Sequence, residues 1–118
     1  MAESYENLNV WKDGMDLVSD VYRLTRKFPR DELFGIISQI RRASVSVPSN
    51  IAEGSGRNSK KEFSRFLDIS VGSLNEVNSL LEVSLRLDYV SRKECDTLIE
   101  RIKKLGSSLG GLRKYLNK

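Results

Sequence analysis

Between Gln39 and Gly56 the chain reads QIRRASVSVPSNIAEGSG, a stretch whose two faces need different surroundings. At roughly 100° per residue of an α-helix, Ile36, Ile40, Ala43, Val47 and Ile51 gather on one side, and Gln39, Arg42, Ser46, Ser49, Asn50 and Glu53 on the other. The first face must be buried against other elements. The second is a ladder of hydrogen-bonding groups of mixed charge. Pro48 stands inside the periodic run and removes the backbone donor that would bond the Ser44 carbonyl. An interior proline costs on the order of 3 kcal/mol unless a bend or other groups compensate. Either the helix ends at Pro48 and NIAEG opens a second piece, or it continues through a bend. The apolar spacing passes from Val47 to Ile51 without losing phase, which favours the bend, with Gly54 and Gly56 supplying a stop and a turn.

The helical period recurs along the rest of the chain. A first helix is expected over about 8–27, starting near Asn7, a fair N-cap, with Trp11, Met15, Val18, Tyr22 and Thr25 on one face. Phe28-Pro29 stops it, because a residue before proline is pushed out of the α region. The acidic Asp31 and Glu32 suit the start of the second helix, over about 31–54, and Leu33 heads its apolar track. The third helix, 60–88, opens on the capping-box pattern Ser59-Lys60-Lys61-Glu62. It carries Phe63, Phe66 or Leu67, Ser70, Leu74, Val77, Leu81, Ser84 and Leu87 in phase, and the small Ser70, Gly72 and Ser73 would let a neighbour come close. A second capping box, Ser91-Arg92-Lys93-Glu94, opens a fourth helix over 92–116, where Cys95, Leu98, Ile102, Leu105, Leu109, Leu112 and Leu116 form the a/d seam of a bundle. Gly106, Gly110 and Gly111 weaken that helix by up to about 1 kcal/mol each. Either they admit a close partner or the helix end is frayed. Short links favour antiparallel neighbours, so the expected fold is all-α: an antiparallel up-down-up-down four-helix bundle, one domain over residues 1–118. No strand pattern, linker or repeat competes with it.

The chain has 118 residues, enough for one continuous core. It contains no histidine, which removes the usual metal ligand, general base and pH switch together. Carboxylate-held Mg²⁺ and Lys or Glu acid–base chemistry survive that absence, so enzymatic activity is disfavoured and not excluded, and neither metal nor cofactor is expected. The lone Cys95 fits a reducing compartment. The polar N-terminus and the lack of an apolar run near 18 residues point to the cytoplasm and away from a membrane.

Lys plus Arg exceed Asp plus Glu by 20 to 16, a mild surplus compatible with an anionic partner. Its distribution is uneven. From Arg101 to the end there are six basic residues and no acidic one, whereas the first twenty residues hold five acids against Lys12. The plainer account is that the first and last helices run antiparallel, so that acid lies beside base and each charge suits its helix dipole; the other is a nucleic-acid patch.

Arg42, Ser46, Ser49, Asn50 and Glu53 need partners if buried, and Asn75, Glu76, Ser79 and Glu82 on the third helix could answer them. The ordinary alternative is a solvated face with local ion pairs. Gly54-Ser55-Gly56-Arg57 has the composition of a phosphate-binding loop, but without a GxxxxGKS or GxxxxGKT pattern or a preceding strand it reads as a turn between helices. Glu53, Glu62 and Glu76 lack the Glu-x-x-His motif of di-iron bundles, and Cys95 on the apolar track reads as packing.

Leu8-Asn9-Val10-Trp11, Phe28-Pro29, Glu32, Ser38-Gln39-Ile40-Arg41-Arg42-Ala43, Ser46-Val47-Pro48-Ser49-Asn50-Ile51-Ala52-Glu53-Gly54, Phe66-Leu67 and Gly72-Ser73-Leu74-Asn75-Glu76 together resemble the 23S rRNA-intervening sequence protein family. Its members are small bacterial four-helix bundles once labelled S23 ribosomal proteins. Ser70 and Val71 depart from the pattern, standing where an alanine-containing pair is expected. The resemblance implies a four-helix bundle and, in relatives, a homopentameric barrel. It also implies kinship with the accessory variability proteins of diversity-generating retroelements, basic bundles that associate with a reverse transcriptase and nucleic acid. The family name records where some of the genes lie and does not establish a ribosomal role.

The expected function is thus a non-enzymatic, self-associating bundle, a pentamer on the resemblance, that binds RNA or DNA or a protein handling them. The candidate contacts are Arg41, Arg57, Lys60, Lys61, Arg65, Lys103, Lys104, Arg113 and Lys114. Arg42, Ser46, Ser49, Asn50, Glu53 and Glu76 form the expected structural ladder. The alternative is a structural or protein-interaction homo-oligomer that binds no nucleic acid.

Overall fold

Each apolar seam finds its partner in four antiparallel helices: α1 (Asn9–Thr25), α2 (Ile36–Ser55), α3 (Lys60–Arg86) and α4 (Arg92–Leu116), with 3₁₀ turns at Tyr5–Asn7 and Arg30–Glu32. The structure, a computed structural model, describes residues 5–118; the expected domain also covers 1–4, including the acidic Glu3, which lie outside the described residues. Sequence neighbours are neighbours in space and α1 closes onto α4, giving an up-down-up-down bundle of 44 × 23 × 20 Å.

α1 corrects the expected core face. Its buried residues are Val10, Gly14, Leu17, Val21 and Thr25, while Met15 and Tyr22 are exposed and Trp11 and Val18 only half-buried. Both stripes have helical spacing, and Gly14 decides between them. A Cβ there would lie 3.3 Å from the Pro48 Cβ, so the bare backbone of α1 receives the proline ring of α2, an approach the larger side chains of the other stripe could not make. The helix also starts later than expected: Leu8 stands before it in an extended conformation, so Asn7 is not its N-cap.

α2 runs through Pro48 without interruption to Ser55, with Val47 and Ile51 fully buried, so the helix does not end at the proline. Its start differs from expectation. Pro29 is extended and is followed by a single 3₁₀ turn, so that residues 31–35 are not part of the helix and Leu33 is 48% exposed. The Glu32 carboxylate nonetheless serves this corner. Its Oε2 accepts the Tyr89 hydroxyl at 2.7 Å, a bond that, ahead of burial and nearby negative charge, holds the phenol above its ordinary pKa.

Gly54 is a packing residue, not a stop. It lies buried within α2, and a Cβ there would meet the Phe66 Cβ at 2.6 Å and Phe63 at 3.0 Å. Helix α2 therefore approaches α3 through a glycine at one end and through Ser70 in the middle, whose hydroxyl donates to the Val47 carbonyl at 2.9 Å. Gly72, expected to serve the same contact, is exposed and faces open space.

α3 begins at Ser59, whose hydroxyl accepts the Glu62 amide at 3.1 Å; the return bond from the Glu62 carboxylate is absent, since that group pairs with Arg65. The helix ends in a Schellman arrangement. Asp88 adopts φ 62°, the Tyr89 amide reaches the Ser84 carbonyl at 2.9 Å, and the Asp88 amide reaches Leu85 at 3.0 Å. At Ser91 both bonds of the capping box form. α4 buries Cys95, Leu98, Ile102, Leu105, Leu109 and Leu116 and is helical through its glycines, so its end is not frayed. Burial raises the Cys95 thiol pKa, as suits a packing group.

Candidate nucleic-acid interface

Antiparallel packing brings the α2–α3 turn, the start of α3 and the last turns of α4 to one end of the bundle, with Arg113 Nε 2.7 Å from Asp68 Oδ1 across α3 and α4. That contact is a charge pair without an aligned hydrogen bond, since Nε has no hydrogen-bond partner. Most of the candidate cations meet here. Arg57 pairs with Glu53 at 2.8 Å and Arg65 with Glu62 at 3.3 Å. Both guanidinium carbons lie 4.9 Å from the centre of the Phe66 ring, a cation–π arrangement that stiffens two long side chains at the surface. Lys60, Lys61 and Lys114 are exposed and have no ion-pair partner among the described residues.

Lys103 continues the basic track about 15 Å along α4 from Arg113. With Ser107, Gly110 or Gly111, Lys114 and Lys118 it forms one helical stripe, mostly exposed. The glycines on it contact nothing: a Cβ added at Gly110 or Gly111 would find no atom within 4 Å. They leave a shallow furrow bordered by Ser107, Arg113, Lys114 and Asn117. Lys104 turns instead toward α1, where it lines a small hollow with Asp13 and Asp16. Together with the Arg101–Asp20 pair, this bears out acid of the first helix lying beside base of the last.

Arg41 stands apart from the other candidates. It is half-buried between α1 and α2, its Nε donates to the Thr25 hydroxyl at 2.9 Å, and its guanidinium lies 4.5 Å above the Tyr22 ring. It fixes helices together and is largely withdrawn from solvent. Tyr115, absent from the candidates, is 64% exposed beside Lys114. Its position inside RKYLNK, an aromatic among basic residues, was the signal that could have found it, since nucleobases stack on such rings.

The expected ladder is only partly joined. Asn50 Nδ2 donates to the Ser46 carbonyl and hydroxyl at 2.8 and 2.9 Å, and Ser73 donates to the Ser46 hydroxyl at 2.8 Å, so these three residues tie α2 to α3. Arg42, Ser49 and Glu76 are exposed, with no side-chain partner among the described residues, and Glu53 is engaged by Arg57 within the turn. Uncharged groups hold the two helices together, and the charged members face solvent. Among the described residues no three Cys, Asp or Glu side chains gather as a metal site, and no helix is long and apolar enough to cross a membrane.

Four helices with this order and packing define an all-α bundle class, and comparison with known proteins gives the family. A model of the 23S rRNA-intervening sequence protein matches residues 6–111, and the chain belongs to that family. A crystal structure of a protein of unknown function from the S23 ribosomal protein family of Bacteroides thetaiotaomicron superposes with a TM-score of 0.79 at 21% identity, over 89% of this chain and 98% of the other. The likeness carries the fold. No curated protein matches the chain.

Proposed function

We propose that the protein is a non-enzymatic, self-associating bundle of the cytoplasm that binds RNA or DNA through the outer surface of α4 and the start of α3. The observation that carries this reading is the free basic track. Lys60, Lys61, Lys103 and Lys114 are exposed without carboxylate partners among the described residues, and a glycine furrow lies between the last two. Two glycines in the last third of the helix lower its stability, and a side chain at either would meet nothing within 4 Å, so their use is external. A surface without side chains lets a phosphate backbone approach the helix closely while lysines on either side neutralise it. Arg57, Arg65 and Arg113 add fixed guanidinium groups at the same end. Self-association rests on a separate surface, the apolar stripe of α1 left unburied by the choice of core face, and the family resemblance sets five copies as the expected assembly.

The test is retardation of a bulk RNA on a gel and its salt dependence. Binding is expected to weaken steeply as salt rises, because phosphate contacts release counterions. Lys60→Glu with Lys61→Glu, or Lys103→Glu with Lys114→Glu, should weaken it and flatten the salt slope. Equal binding by wild type and both variants, or none by the wild type at low salt, would overturn the reading.

A further inference from the structure

α1 and α4 form the loosest of the bundle's seams, and two ion pairs bridge it. Arg101 reaches Asp20 at 2.5 Å, and Lys27 reaches Glu94. The bridges are two helical turns apart on each helix, about 10 Å of rise. Between them is a cleft of about 450 Å³ with Leu24 and Leu98 in its lining and Arg23, Lys93 and Thr97 at its margin. That volume is in the range of small-molecule sites.

The charge around the cleft is unbalanced. Asp20 already receives Arg23 at 3.0 Å and Arg101 at 2.5 Å. Glu94 receives Lys27 and also the Ser91 amide that closes the α4 cap. The Lys93 ammonium has no partner among the described residues. Four cations thus border the cleft against two carboxylates, both occupied, so it keeps a positive surplus above an apolar bed. A cation would be repelled. A neutral apolar guest would gain contact with the leucines but leave the surplus unanswered.

We propose that this cleft binds a small amphiphilic monoanion, a carboxylate on a medium-length aliphatic body. The carboxylate sits at the end of the cleft lined by Lys27 and Lys93, and the chain lies over Leu24 and Leu98 toward the Arg101–Asp20 bridge. This site is independent of the basic track on α4 and is lined by none of the nucleic-acid candidates.

Octanoate, kept below its micelle concentration, is the probe, added to the 118-residue chain and followed by amide NMR shifts, with octanol and octylamine as controls. Octanoate is expected to shift Leu24, Thr97 and Leu98 in a saturable manner and to bind more tightly than octanol; octylamine should leave these resonances in place. Lys93→Glu, at an exposed and unpaired position, should keep the unfolding temperature and weaken octanoate about tenfold, the effect of reversing one solvated charge close to an anion. The proposal is overturned if octanol binds as tightly as octanoate, if Lys93→Glu binds it unchanged, or if the cleft resonances do not move.

Discussion

At the scale of single residues, the bundle is set by where side chains are missing. Gly54 and Gly110 look alike in sequence, each a glycine near the end of a helical pattern, and they have opposite surroundings. The missing Cβ of Gly54 would be 2.6 Å from that of Phe66, and both are tied to backbone; that of Gly110 would face open space. Gly54→Ala is therefore expected to force α2 and α3 apart and lower stability by about 1–3 kcal/mol. Gly110→Ala should raise it by up to about 1 kcal/mol, the helix-propensity gain. Urea unfolding of the two variants checks this, and equal midpoints would show that the close approach is not what holds these helices. The same comparison explains why sequence misjudged Gly54. A glycine that makes room reads the same as one that makes a turn until the facing residue is known, and Phe66 belongs to another helix. Gly14 and Pro48 are a similar pair: each weakens its own helix, and together they fit.

At the scale of elements, periodicity located all four helices, and it also located most of the buried tracks of α2, α3 and α4; the exceptions are Leu33 and Leu87, both 48% exposed, which lie just outside the helices that were expected to bury them. α1 has two apolar stripes, about one residue apart, and period alone cannot rank Val10, Leu17 and Val21 against Trp11, Met15, Val18 and Tyr22. Of the second stripe Met15 and Tyr22 are exposed, and Trp11 and Val18 are half-buried. The capping boxes were legible because both partners are local, and at Ser91 the cap extends beyond its own helix. The bond from Lys27 is the largest influence holding the Glu94 carboxyl below the usual carboxylate range, with the Ser91 amide next. A carboxylate depressed in the folded state contributes stability above its unfolded pKa and loses it as pH falls through the folded value. Ser91→Ala should cost about 1 kcal/mol at neutral pH through the lost cap. Glu94→Gln, which can still accept the cap bond, should cost less near neutrality, because the pair is solvent-exposed, and should flatten the decline of stability below the ordinary carboxylate pKa. Urea midpoints measured from neutral to acid pH separate the two; an unchanged acid slope in Glu94→Gln would remove Glu94 from the account.

At the scale of the molecule, the candidate interface was only partly legible, because it is assembled by the antiparallel return of the chain. The basic run of α4 and the Lys60-Lys61 pair stood out in sequence, but that they share one end, that Lys104 turns toward acids and that Arg41 is drawn inward depend on how helices face each other. The same packing leaves Met15 and Tyr22 exposed on α1 and Val45, 40% exposed, on the neighbouring α2, with Trp11 and Val18 half-buried along the α1 stripe. Copies that meet are expected to meet here and not through α4, since basic tracks brought together repel one another, whereas this strip lowers its exposure to water by pairing. Met15→Glu combined with Val45→Glu, both at exposed positions on helices held by other residues, should leave the far-ultraviolet dichroism and unfolding midpoint of the isolated chain close to wild type while the mass measured by light scattering falls to that of one chain. RNA binding per chain should persist at reduced apparent affinity, because separate tracks no longer act on one RNA together. If the double variant keeps the wild-type mass, the copies associate through another surface; if wild type itself scatters as a single chain at all concentrations, the exposed stripe of α1 does not drive assembly and self-association is lost from the proposed function.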